Sequence, residues 1–141
     1  MALTDIFAIA GSALAGHSTR LNATASNMAN ASNVSSNEED AYKGKRVVFR
    51  TLVEDQMIGN VMRPAGSLTI DRVVDDLAPH PKLYDPGNPM ADDEGYVFKS
   101  NVEEVSEMVE MLAAARSYQN NVEVINTAKE LMSRTLEVAK S

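Results

Sequence analysis

NVEEVSEMVEMLAAARSYQNNVEVINTAKELMSRTLEVAKS, from Asn101 to Ser141, contains neither Pro nor Gly, so nothing in it must break a helix. Met111, Tyr118, Ile125, Met132 and Ala139 recur every seven residues. Met108, Leu112, Ala115, Val122, Ala128 and Leu136 fill neighbouring positions on the same side, giving an apolar stripe of helical period. Asn101 followed three residues on by Glu104 has the form of a capping box. Glu103, Glu104, Glu107 and Glu110 crowd the positive end of the helix dipole, and Lys129, Arg134 and Lys140 lie toward its negative end. A helix from Val102 to Ala139 spans about 57 Å at 1.5 Å per residue. That exceeds the width of a compact domain of this size, so the helix is expected to project or to pack along a partner.

A second helical pattern occupies Leu3 to Met28. Phe7, Leu14, Leu21 and Met28 are spaced by seven, with Leu3, Ile6, Ala10, Ala13 and Ala25 close to that line. Thr4 or Asp5 offers a cap, and the Asn-rich run after Asn30 offers a stop. From residue 6 to residue 37 the only formal charge is Arg20. A solvated helix carries charges on its outer face, so this one is expected to have neighbours on several sides. Ile6 to Ala15 also has the look of a signal-peptide core, with Ala13-Leu14-Ala15 as a small-x-small site. However, no Lys or Arg precedes it, Asp5 sits where a positive charge belongs, and the heptad spacing runs on past the cleavage point. The segment is read as retained, so departure from the cytoplasm would need another export route.

Between the helices the period changes. Val34 to Asp40 reads as an acidic loop. Tyr42 to Val53, Leu68 to Val74 and Tyr96 to Phe98 are rich in β-branched and aromatic residues, and Gly59, Pro64 and Gly66 punctuate them. Pro79-His80-Pro81 and Asp85-Pro86-Gly87-Asn88-Pro89 are turn chemistry. The expected fold is mainly α with a small β insertion of three or four short strands. Long amino- and carboxy-terminal helices would pack as an antiparallel coiled-coil-like pair. Segments 1–33 and 101–141 together form one helical core domain, with 34–100 inserted between them.

Composition narrows the function. The net charge of −7 disfavours nucleic acid or an anionic membrane as the main partner. No apolar run reaches the ~18 residues of a membrane-spanning helix. The absence of Cys rules out disulfides and thiolate chemistry. With no Trp and few aromatics, a large globular core is hard to build. Asp85, Asn88, Asp92, Asp93 and Glu94 could in principle hold Ca²⁺. Their spacing does not match an EF-hand loop, and Pro86 and Pro89 oppose wrapping an ion, so a solvated turn is favoured over a metal-dependent enzyme using Asp85, Asp92 and Glu94. The two histidines, His17 and His80, are isolated and read as a packing residue and a turn residue. No nucleophile with an obvious base, P-loop or dinucleotide motif occurs. The expectation is therefore no enzyme, no cofactor and no metal. Two polar groups stand out instead: Ser26-Asn27-Met28-Ala29-Asn30, and Arg116-Ser117-Tyr118-Gln119-Asn120-Asn121. The Asn amides suit bridges that bring no charge into a contact, and polar residues beside an apolar seam suit setting helix register.

These residues carry a resemblance. Ser12-Ala13-Leu14, Arg20-Leu21-Asn22 and Ser26-Asn27-Met28-Ala29-Asn30 are similar to the signature shared by flagellar rod and hook proteins. So are Asn101-Val102, Glu107-Met108-Val109, Met111, Arg116-Ser117-Tyr118-Gln119, Asn121-Val122-Glu123 and Asn126-Thr127-Ala128-Lys129. Tyr84-Asp85-Pro86-Gly87-Asn88-Pro89-Met90-Ala91-Asp92 with Gly95-Tyr96-Val97 resembles the segment typical of the FlgC family of proximal rod proteins. Asn120, where that family usually has Ala, and the acidic loop Ser35 to Ala41 depart from the pattern. The resemblance implies a non-enzymatic subunit of the flagellar basal-body rod, exported by the flagellar type III apparatus without a cleaved signal. Its implied partners are copies of itself, other proximal and distal rod proteins, and the hook–basal-body junction protein, with neither nucleic acid nor direct membrane insertion. Its helices would build a tubular shaft that crosses the periplasm, transmits torque and encloses the export channel. The expected assembly residues are Phe7, Leu14, Leu21, Asn27, Met28, Asn30, Met108, Met111, Arg116, Tyr118, Asn121, Val122, Ile125 and Met132. A helical-hairpin adaptor for a single partner is the alternative.

Overall fold

The computed structural model describes residues 3–58 and 60–140. Among these residues, in chain order, lie α1 (Leu3–Asn30), β1 (Val34–Ser35), β2 (Lys45–Thr51), β3 (Gln56–Ile58), β4 (Val61–Arg63), β5 (Leu68–Asp75), β6 (Lys82–Tyr84), β7 (Tyr96–Lys99) and α2 (Glu104–Lys140). Two helices thus flank short strands, as the change of period predicts. The small β1 and β6 and the β3–β4 hairpin are additions. At two or three residues they are too short to show an alternating pattern, and tertiary pairing defines them.

Pairing is local. β1, β7 and β6 form one antiparallel sheet in that order, with Ser35 opposite Phe98 and Leu83 opposite Val97. β3 and β4 pair antiparallel with Met57 opposite Met62. β2 and β5 make a separate two-stranded sheet.

The helix starts differ from expectation. α2 begins at Glu104, so Asn101 lies outside it. The Asn101 side chain instead accepts from the Gly44 amide (2.8 Å) and donates to the carbonyls of Asp76 (3.0 Å) and Ala78 (2.9 Å). Three backbone groups of the β region claim the side chain that spacing assigns to a cap. Glu103 takes the first turn, accepting from Ser106 Oγ at 2.9 Å. Thr4 and Asp5 fall within the first turn of α1, so neither caps it, and the capping position lies outside the described residues. The stop at Asn30 is as expected, closed by the Ala31 amide on Met28 O and the Asn33 amide on Asn30 O.

The chain divides into two compact units. One comprises Met1–Thr19, Val48–Arg72 and Ala113–Ser141. Its buried side chains are mostly small: Ala10, Ser67, Ala114 and Ala128, with Leu52 the large exception. Gly16 is where α1 lets the strands approach: an added Cβ would stand 2.8 Å from Leu68 Cδ2 and 3.2 Å from Phe49 Cε1. Ser12 Oγ donates to the Ile9 carbonyl (2.7 Å) and accepts the Leu68 amide (2.9 Å). The turn before β5 closes with Gly66 at φ +90°, a left-handed conformation that favours glycine. Its amide reaches Leu52 O at 2.7 Å.

The other unit comprises Arg20–Val47 and Val73–Leu112. Val97 on the central strand is fully buried, with Ala31, Ala41, Ser35 and Ser100 also inside. The 85–95 loop closes on itself. Asp85 N–H meets Gly95 O at 2.9 Å, and Asp92 Oδ1 accepts the amides of Glu94 (3.0 Å) and Tyr96 (2.8 Å). Asn88 Oδ1 accepts the Met90 amide. These polar side chains are engaged in turn geometry, as the turn reading of the sequence expects.

Candidate assembly site

Each helix is amphipathic in an unusual way. On α1, buried Ala10 and Thr24 lie on one seven-residue row with half-buried His17, a row that continues to buried Ala31 just past the helix, while Gly16 and Asn27 are buried off it. The expected row of Phe7, Leu14, Leu21 and Met28 lies beside it, and all four are half-buried. On α2 the innermost row is Glu107, Ala114, Asn121 and Ala128, and the expected row of Met111, Ile125 and Met132 is half-buried next to it. Positions 107, 111, 114, 118, 121, 125, 128 and 132 alternate steps of four and three, the spacing of a helix seam. Large apolar residues mark one row in the sequence, while Ala, Thr, His17, Asn121 and one carboxylate fill the other.

The polar heart of the second unit is Asn27. It is 1 % exposed, and its hydrogen-bonding capacity is used in full. Nδ2 donates to Lys45 O (2.9 Å) and to Glu107 Oε2 (3.0 Å), while Oδ1 accepts from Lys45 N (2.7 Å) and Tyr42 Oη (3.1 Å). Glu107 is 2 % exposed, and its other oxygen takes Arg46 Nη1 at 3.3 Å. Arg46 Nε meets Asp76 at 3.1 Å. The Ala78 amide, and then the Arg46 guanidinium, hold the Asp76 carboxyl below its ordinary range. An Arg20–Glu110 ion pair also joins α1 to α2 in this unit, and Ser32 Oγ, two residues past the end of α1, donates to Glu104 Oε1 at 3.0 Å. In the sequence Glu107 stands as one of four acids near a helix start and as part of the Glu107-Met108-Val109 stretch of the resemblance. Its place seven residues before Ala114 on a row of small residues is the signal that distinguishes it.

Asn30 stays local, donating to Ser26 O and accepting from Asn33, each at 2.8 Å. Asn121 likewise donates to Ser117 O at 2.8 Å. Arg116 is exposed and makes no ion pair among the described residues; Glu110, the acid nearest it in sequence on an earlier turn, is taken by Arg20. Tyr118 and Val122 are just over one-third exposed.

Two outer surfaces complete the site. Val105, Met108, Val109 and Leu112 on the first turns of α2 are each more than half exposed. Among the described side chains of α1 the exposed ones, Thr4, Ala8, Ala15, Ser18, Asn22, Ala25, Ser26 and Ala29, are all small and uncharged. Among the described residues no cluster of His, Cys, Asp and Glu has metal-holding geometry, and no helix is long and apolar enough to cross a membrane.

Residues 93–138 match the family described as flagellar basal body rod FlgEFG protein, C-terminal. Over 140 residues the chain is 46 % identical to the flagellar basal-body rod protein FlgC of Salmonella typhimurium and 45 % to that of Yersinia enterocolitica, covering 99 % of this chain and 100 % of each relative. The FlgC of Aquifex aeolicus is 33 % identical over 142 residues, covering 98 % of this chain and 100 % of that protein. The small uncharged face of α1, the exposed apolar turns of α2 and full-length likeness to rod proteins agree: the chain belongs to the FlgC family of flagellar basal-body rod proteins.

Proposed function

We propose that this chain is a structural subunit of the proximal rod, which packs its terminal helices against those of copies of itself and of other rod proteins to build a tube. In this reading, 1–33 and 101–141 act as one helical core, an antiparallel coiled-coil-like pair, with 34–100 as the insertion between them. The observation that carries the reading is the patch of Val105, Met108, Val109 and Leu112, left open to water on a 37-residue helix. A contiguous exposed apolar patch is characteristic of an interaction surface. The uncharged outer stripe of α1 supports it, because small side chains let another helix approach closely without desolvating a charge. A tube whose subunits contact head to tail grows without closing, and many helix contacts around each subunit suit a shaft that carries torque and encloses an export channel. The hook–basal-body junction protein and distal rod proteins are the proposed neighbours beyond copies of itself, and the type III export apparatus is the proposed route.

Imaging purified basal bodies that carry a tagged form of this chain tests the proposal. Label density within the rod is expected. Tagged, motile cells whose rods carry no label would overturn it.

A further inference from the structure

We propose that the Asn27–Glu107 contact sets the register of α1 against α2, and that its role is alignment rather than cohesion. Both helices carry an apolar row that repeats every seven positions: Phe7, Leu14, Leu21 and Met28 on α1, and Met111, Tyr118, Ile125 and Met132 on α2. Sliding one helix by a heptad, about 10 Å, would bring each apolar row back into step with itself and lose little apolar contact. The Arg20–Glu110 pair is part-exposed on both sides and the Ser32–Glu104 bond is exposed, so both discriminate weakly.

The buried contact behaves differently. A slide by seven places Asn27 opposite residue 114 or residue 100 and leaves the Glu107 carboxylate inside without its amide partner. A buried carboxylate that loses a hydrogen-bond donor is strongly disfavoured. A single polar residue in an apolar seam fixes register in coiled coils by the same means. Asn27 also holds both backbone groups of Lys45, and Arg46 reaches Glu107. The aligned state is therefore recognised by three segments at once: the end of α1, the start of β2 and the first turn of α2. Asn101, which ties the approach to α2 to Gly44, Asp76 and Ala78, is the rival device for the same task.

The chain contains no Cys, so introduced pairs read the register directly. Arg20→Cys with Glu110→Cys reports the observed alignment. Arg20→Cys with Ser117→Cys or with Glu103→Cys reports slides by one heptad in either direction. A short bis-thiol crosslinker is applied to the full chain, and helix content is followed by circular dichroism. With the contact intact, only the 20–110 pair is expected to crosslink. In Asn27→Leu/Glu107→Leu, helix content is expected to persist while the ratio of 20–110 to slid crosslinks falls by about tenfold or more. Glu107→Gln, which can still accept from Asn27, is expected to keep the single alignment. A folded double variant that stays in one register would overturn the proposal and assign alignment to Asn101. Loss of helix in the double variant would show the contact to be cohesive, and slipping in Glu107→Gln would show that charge pairing with Arg46 sets the register. Either result also overturns the proposal.

Discussion

Asn27 Nδ2 and Glu107 Oε2 lie 3.0 Å apart, eighty positions distant in sequence, with both residues almost wholly excluded from water. Removing one partner strands the other. Asn27→Ala leaves the Lys45 amide and carbonyl, the Tyr42 hydroxyl and the Glu107 carboxylate each short of a bond. The expected cost is about 2–4 kcal/mol, read as a lower urea midpoint at unchanged slope. Asn27→Asp should cost at least as much, because it sets a second carboxylate against Glu107 and loses both donors. A shift of less than about 0.5 kcal/mol, the range of ordinary surface substitutions, would show that the contact is not maintained in solution.

Gly11 and Gly16 separate propensity from space. A Cβ at Gly11 meets nothing within 4 Å, whereas at Gly16 it meets Leu68 and Phe49. Gly11→Ala should stabilise the chain by about 0.5–1 kcal/mol through helix propensity. Gly16→Ala carries the same gain but must displace Leu68 and Phe49, so it should be less stable than Gly11→Ala by about 1–3 kcal/mol. Thermal melts of the two variants side by side give the comparison. Equal melting temperatures would refute the close approach at Gly16.

Asp76 gives a pH signature. Its carboxyl titrates below the ordinary value because the Ala78 amide and then Arg46 favour the charged form. A depressed carboxylate stabilises the fold above its unfolded-state pKa and loses that contribution as pH falls through the folded-state value. The stability difference between the natural chain and Asp76→Asn should therefore be largest near neutral pH. It should shrink below the ordinary carboxylate range and be unchanged between about pH 6 and 8. Urea titrations across pH 2 to 8 measure it, and a difference that grew on acidification would reverse the assigned sign.

The helices and the central strands were legible because their periods are long enough to repeat. Heptads in Leu3–Asn30 and Glu104–Lys140 persist over many turns, and β2, β5 and β7 are dense in β-branched and aromatic residues. The innermost rows were harder to read: Ala, Thr and a Glu mark no hydrophobic period, so Glu107 reads as a dipole charge until Asn27 is placed beside it. Asn101 misleads for a related reason, since local spacing fits a cap while three backbone groups distant in sequence determine its partners. Short strands such as β1 and β6 exist only through β7, which no local pattern reveals.

Leu112 is 69 % exposed, so replacing it should test contacts beyond the chain without disturbing the chain itself. Leu112→Asp should change stability by no more than about 0.5 kcal/mol. In a rod it would bury a carboxylate against an apolar neighbour, a contact that cannot be compensated. The expected phenotype is normal secretion of the variant, non-motile cells and basal bodies without a completed rod. Leu21→Asp and Ile125→Asp should also abolish assembly, but both positions are half-buried, so chain stability would fall with them. Motility in Leu112→Asp cells would exclude this face from the rod contacts.

Arg116 is exposed and carries no ion pair among the described residues, four positions beyond Leu112 on the same outer face of α2. A guanidinium with no ion pair among the described residues is suited to a carboxylate or carbonyl on a neighbour, where its planar fork fixes angle as well as distance. Arg116→Ala should leave stability and secretion unchanged, since the side chain is exposed and no ion pair among the described residues is lost. Rod growth should fail or yield irregular rods, and Arg116→Lys should rescue it only partly, because an ammonium restores charge without the paired geometry. Counting completed rods in purified basal bodies, with secreted variant measured in the same cultures, separates assembly from export. Impaired secretion with normal rods among the few subunits exported would place the function of Arg116 before assembly.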